Sequence, residues 1–153
     1  MYFPDTQLMG EPDGSKDGWL INQKWLYVRR APGNTCISAL MDARCGERKI
    51  SQYGGQAEND SKGCGGVMRS APFGLLPPRS DDALGWQFDS AAQAASFTHG
   101  HPTAQLASGA LAALIGAIVL GQELDEAVNT MMRHLHCREH HEEATRVLQQ
   151  AID

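Results

Sequence analysis

The sequence holds no C-x-x-C pair and no zinc-ribbon spacing, although it has four cysteines, and this excludes a cysteine-built metal knuckle. Without a framework of pairs, Cys36, Cys45, Cys64 and Cys137 read as free thiols of a reducing, cytoplasmic compartment. Basic charge is also scarce. Thirteen Lys and Arg stand against eighteen Asp and Glu, a formal net charge of −5, which argues against a nucleic-acid protein working through a basic face. The opening Met1-Tyr2-Phe3-Pro4-Asp5 has neither a basic nor an apolar leader region, so no signal peptide is expected. The most apolar run, Ala104 to Leu120, is shorter than the ~20 residues of a membrane helix and contains Gln105 and Ser108. It reads as a buried helix. No run alternates with period two, β-branched residues are few and no fixed-period repeat occurs, which removes sheet and solenoid readings and leaves an all-α class.

What is present divides the 153 residues in two. Most of the 16 glycines and 7 prolines fall before residue 80, giving a loop-rich front half and a regular back half. In the front, Trp19, Leu20, Ile21, Trp25, Leu26 and Val28 supply apolar anchors without a clean period, the tryptophans serving core or interface. Asn34 can cap a helix whose face carries Cys36, Ile37, Leu40 and Met41, with Gly46 as its stop. A long polar loop over 46–64 follows, of a length that is often functional. A short helix is then expected from Gly65 or Gly66 through Leu75, ended by Pro77-Pro78. Asp81 or Asp82 caps a helix over 83–96, and Pro102 opens the next, closed by Gly121. Helical spacing continues over 123–136 and along Ala144, Val147, Leu148, Ala151 and Ile152.

The strongest local motif is Asn59-Asp60-Ser61-Lys62-Gly63-Cys64-Gly65-Gly66-Val67-Met68-Arg69. Its glycines let the backbone curl and aim several N–H groups at one point, an anion seat. The helix expected behind it adds its positive end, Ser61 a hydroxyl, and Lys62 or Arg69 a charge. It is not a Walker A loop, because Lys62 precedes the glycines. A plain flexible connector has the same composition. His99 and His101 lie at a helix junction, able either to meet a ligand or simply to cap and pack. His134, His136, Cys137, Glu139, His140 and His141 offer metal-ligand types, with His136/His140 and Cys137/His141 at helical spacing. Adjacent Glu142 and Glu143 suit a solvated helix start, and a surface turn between two helices is the reading taken.

Taken together, four blocks resemble the ADP-ribosylglycohydrolase family, which includes the hydrolase that removes ADP-ribose from dinitrogenase reductase. They are residues 18–22, 29–40 (Arg29 to Leu40), 59–72 (Asn59 to Pro72) and Thr98-His99-Gly100-His101-Pro102-Thr103, in the family's order and approximate spacing. His140 and Glu142-Glu143-Ala144-Thr145 also look like a family segment, and the resemblance spans about residues 18–152. It implies a single all-α domain over residues 1–153, with 1–17 a weakly matched lead-in, and hydrolysis of the bond between ADP-ribose and a modified protein side chain. The resemblance puts the ADP-ribose diphosphate on Asn59, Asp60, Ser61, Lys62, Gly63, Cys64 and Gly65, and the ligand against His99. Gly33 and Asn34 would border the same cleft.

Family members bind two divalent metals, usually Mg2+, through an N-terminal Thr-Asp-Asp-Thr type motif and a C-terminal Asp-x-Asp-Ser/Thr motif. This sequence has no counterpart of the second, and in Phe3-Pro4-Asp5-Thr6-Gln7 a proline replaces the needed carboxylate. The expectation is therefore an incomplete helical bundle, the centre of a longer enzyme, inactive by itself and without metal ligands. The alternative is a non-catalytic ADP-ribose-binding or structural remnant completed by a partner chain. ADP-ribose or an ADP-ribosylated protein is the expected partner, with no nucleic acid and no membrane, and the last helix can support self-association.

Overall fold

In a computed structural model, which describes residues 6–7, 10–12, 14, 18–44, 55–77, 79 and 81–152, the backbone forms helices, 3-10 turns and loops. No strand occurs among the described residues, and the chain is all-α. Contacts gather it into two compact units, residues 1–55 and 56–153.

The first unit carries 3-10 turns at Leu20–Asn22 and Lys24–Leu26 and helix α1 at Asn34–Arg44. Ile21 is its buried apolar anchor, and the Tyr27 hydroxyl donates to Ile21 O at 2.8 Å. Trp19 and Trp25, expected in a core or interface, are 74% and 58% exposed. In α1 the expected face of Cys36, Ile37, Leu40 and Met41 is half-buried, while Ala39 is the residue fully covered. The helix begins at Asn34 itself, with the Ile37 N–H donating to Gly33 O. The expected stop at Gly46 lies outside the described residues.

The second unit is built around helix α3, Pro102–Val119, packed against α2 (Ala83–Ser96), α4 (Leu124–His136) and α5 (Glu142–Ile152). Local chemistry sets these ends. Asp82 accepts from the Gly85 N–H at 2.9 Å, and a Cβ at Gly85 would fall on that carboxylate. Pro102 starts α3 where its missing N–H costs nothing, and Gly121 leaves it at φ +91°. By length and hydropathy alone α3 could cross a membrane. Its Ala104, Leu106, Ala110, Ala112, Ala113 and Ala117 are instead buried. Phe88, Leu106, Ala110, Met131, Leu135 and Ala144 make the main apolar core. Small residues set the spacing: a Cβ on Gly109 would stand 2.5 Å from the Phe88 ring.

The helix expected over 65–75 is instead two 3-10 segments, Val67–Arg69 and Ala71–Leu75. Pro72 removes a helical N–H, and tertiary packing holds the tighter winding. A Cβ at Gly66 would press on Ser108 Oγ and Ala95, and one at Gly74 would overlap Ala112 O of α3.

Candidate functional site

The Gly-rich loop is shaped from its first residue. Asn59 Oδ1 accepts from the N–H groups of Ser61 at 3.1 Å and Gly100 at 3.0 Å, while Asn59 Nδ2 donates to Thr98 O at 3.0 Å. Ala57 N donates to Ser96 O at 2.8 Å, bringing the loop down on the end of α2. The approach is close enough that a Cβ on Gly100 would overlap both Ala57 O and Asn59 O. Ser61 Oγ then accepts from the Gly63 N–H at 3.2 Å, tightening the curl. Among the described residues, the N–H groups of Lys62, Cys64 and Gly65 have no acceptor within the chain. Open donors this close together in one loop suit an anion.

His99 lies beneath this curl. It is 1% exposed, and a Cβ on Gly63 would stand 3.4 Å from its Nε2. Thr98 Oγ1 accepts from the Arg69 guanidinium and lies 2.8 Å from His99 Nδ1, against 3.4 Å from Ala95 O. Assigning the hydroxyl proton to the shorter contact makes Nδ1 the acceptor and places the ring proton on Nε2, on the Gly63 side. Burial first, and then the Arg69 charge, hold the imidazole below its ordinary range and keep it neutral. Gln105 Nε2, in the first turn of α3, donates at 3.0 Å to both His99 O and Gly100 O.

The expected sources of positive charge are otherwise engaged. Arg69 donates to Gly65 O, Ala94 O and Thr98 Oγ1, bracing the loop from behind. Lys62 Nζ sits 2.7 and 2.8 Å from the two oxygens of Glu143, which also accepts from Thr103 Oγ1 at 2.7 Å. Nor does a helix dipole serve the seat, since only a three-residue 3-10 turn follows it. The anion character therefore rests on the loop backbone and the His99 edge. His101 takes the capping role: its Nδ1 accepts from the Thr103 N–H at 3.1 Å, and its Nε2 faces Asp60 Oδ1 at 3.7 Å. The Asp60 carboxylate is exposed and faces His101.

The structure brings residues 59–65 and His99 together in the second unit, whereas Gly33 and Asn34 belong to the first. Sequence reasoning gave no site role to Thr98, Thr103, Gln105 and Glu143, although Thr98, Thr103 and Glu143 lie in segments that resemble the family and all four stand in the turn before, or the first turn of, a helix. Among the described residues no group of three His, Cys, Asp or Glu side chains is arranged to hold a metal ion. At the seat itself, both Glu143 oxygens are taken and Asp60 stands alone, so the donors do not fit a pair of magnesium ions. Residues 137–141 form a turn between α4 and α5, with the His136 and His141 rings edge to face at 5.3 Å. Cys36, Cys64 and Cys137 are in no disulfide; Cys45 lies outside the described residues.

A family model described as ADP-ribosylglycohydrolase matches residues 13–153. No curated protein and no solved structure matches the chain.

Proposed function

Because the chain belongs to the ADP-ribosylglycohydrolase family, whose members act on ADP-ribosylated substrates, we propose that residues 59–65 and His99 form a seat for the diphosphate of ADP-ribose. The observation that carries this reading is that the loop carrying the open Lys62, Cys64 and Gly65 N–H groups lies, at Gly63, directly over the Nε2 edge of a buried, neutral imidazole. Backbone donors hold phosphate oxygens without the desolvation cost of a buried ammonium. A neutral imidazole adds one directed hydrogen bond.

The chain's own residues bind and orient the ligand, and its carboxylates at the seat supply neither a metal pair nor an activated water. The 153-residue chain accordingly binds ADP-ribose but does not hydrolyse the glycosidic bond. The test is calorimetry with ADP-ribose in the presence and absence of magnesium, beside an assay for release of ADP-ribose from ADP-ribosylated arginine or serine. Binding unchanged by magnesium and no release are expected. Turnover by the purified chain that chelation abolishes would overturn the inactive reading, and absence of binding would overturn the seat.

A second reading, a non-catalytic module completed by a partner chain, draws on the apolar side chains left exposed on the last helix, Val147 and Ile152. Sedimentation of the purified chain measures self-association directly.

A further inference from the structure

We propose that Glu143 is a positioning residue for the Gly-rich loop: through Lys62 it clamps the loop to the first turn of α3. This rests on reading residues 59–65 as the diphosphate seat.

A lysine inside a phosphate-binding loop is ordinarily read as a phosphate ligand. Here its ammonium is bonded to both oxygens of one carboxylate, at 2.7 and 2.8 Å. The same carboxylate accepts from Thr103 Oγ1 at 2.7 Å. Glu143 therefore joins three elements: the loop, the start of α3 and the first turn of α5. Its carboxyl is held below the ordinary range by those two hydrogen bonds, with the Lys62 and His101 charges adding to them. It stays ionised at neutral pH. Lys62 and Glu143 side chains are 47% and 38% exposed. The pair escapes the full cost of a buried charge, and the Thr103 bond gives it a direction that a simple surface ion pair lacks.

Two roles for Lys62 make opposite predictions. As a phosphate ligand, Lys62 is restrained by Glu143, so Glu143→Gln frees it and tightens ADP-ribose binding. As half of a clamp, Lys62 needs Glu143, and either loss loosens the loop. The test compares ADP-ribose affinity of the full chain with Glu143→Gln, Lys62→Gln and the exchanged pair Lys62→Glu/Glu143→Lys. The clamp gives about fivefold weaker binding for each single variant, the scale of a partly exposed, hydrogen-bonded ion pair. It gives recovery to within about twofold for the exchange, since the pair is restored with its sign reversed. Tighter binding by Glu143→Gln overturns the proposal, as does an exchanged pair that binds worse than both single variants.

Amide hydrogen exchange without ligand at Ser61 and Gly63, whose N–H groups are bonded within the loop, separates the clamp from the binding reading. If the parent chain does not bind ADP-ribose, the seat fails. The clamp still predicts about fivefold faster exchange in both single variants and recovery in the exchanged pair. Unchanged exchange in the single variants overturns it.

Discussion

Asn59 Oδ1 accepts from the Gly100 N–H at 3.0 Å while Asn59 Nδ2 donates to Thr98 O at 3.0 Å. One short side chain thus stitches the Gly-rich loop to the turn that carries His99. Asn59→Asp keeps the acceptors but sets a carboxylate against Thr98 O, and Asn59→Ala removes all three bonds. Thermal or urea melts should show losses of about 1 kcal/mol for Asp and about 2 kcal/mol for Ala.

Two glycines near His99 should separate stability from binding. A Cβ at Gly63 stands 3.3 Å from Ser61 Oγ and 3.4 Å from His99 Nε2. Gly63→Ala should leave stability within about 0.5 kcal/mol while capping the imidazole edge, so that ADP-ribose affinity falls about tenfold. At Gly100 the same methyl would meet the backbone carbonyls of Ala57 and Asn59, which have no rotamer to change. Gly100→Ala should cost about 2–3 kcal/mol and bring binding down with it.

Burial and Arg69 lower the His99 pKa from its ordinary 6.5. The native imidazole therefore resists a proton that the unfolded chain accepts. Stability is at its full value above pH 6.5 and declines as pH falls from there through the lowered native value. Denaturant melts at several pH values should show this decline in the parent chain and a shallower one in His99→Gln. An NMR titration that places the His99 midpoint above 6.5 would contradict the stated environment.

His140 sits in the turn before α5 with φ 61°, a left-handed conformation. Relief of about 1–2 kcal/mol of backbone strain is partly offset by the ~0.5–1 kcal/mol that glycine loses in chain entropy. His140→Gly should therefore stabilise the protein by about 0.5 kcal/mol. Chemical denaturation at neutral pH measures it.

Much of the fold was legible because the signals were local. Asp82 caps the helix expected of it, Pro102 and Gly121 bound α3 as read, and the periodic stripe of α4 faces the core, whereas of the α5 stripe Ala144 is buried and Val147, Ala151 and Ile152 are exposed. The segment around Pro72 was misjudged, since Gly66 and Gly74 owe their winding to contact with α3, which no neighbouring residue announces. The site divides in the same way. The glycines and His99 stood out as a motif, and the structure sets them side by side. The partners of Lys62 and Asn59 lie far along the chain, so Lys62 read as a charge for the anion and Glu143 only as part of a solvated, family-like helix start.

The separation of 81 residues between Lys62 and Glu143 also orders events in time. A contact spanning that much chain closes late, after the local helices and their first packing. Glu143→Gln should therefore leave the refolding rate nearly unchanged and speed unfolding. On a ribosome, the loop acquires its final tether only when the last helix has emerged.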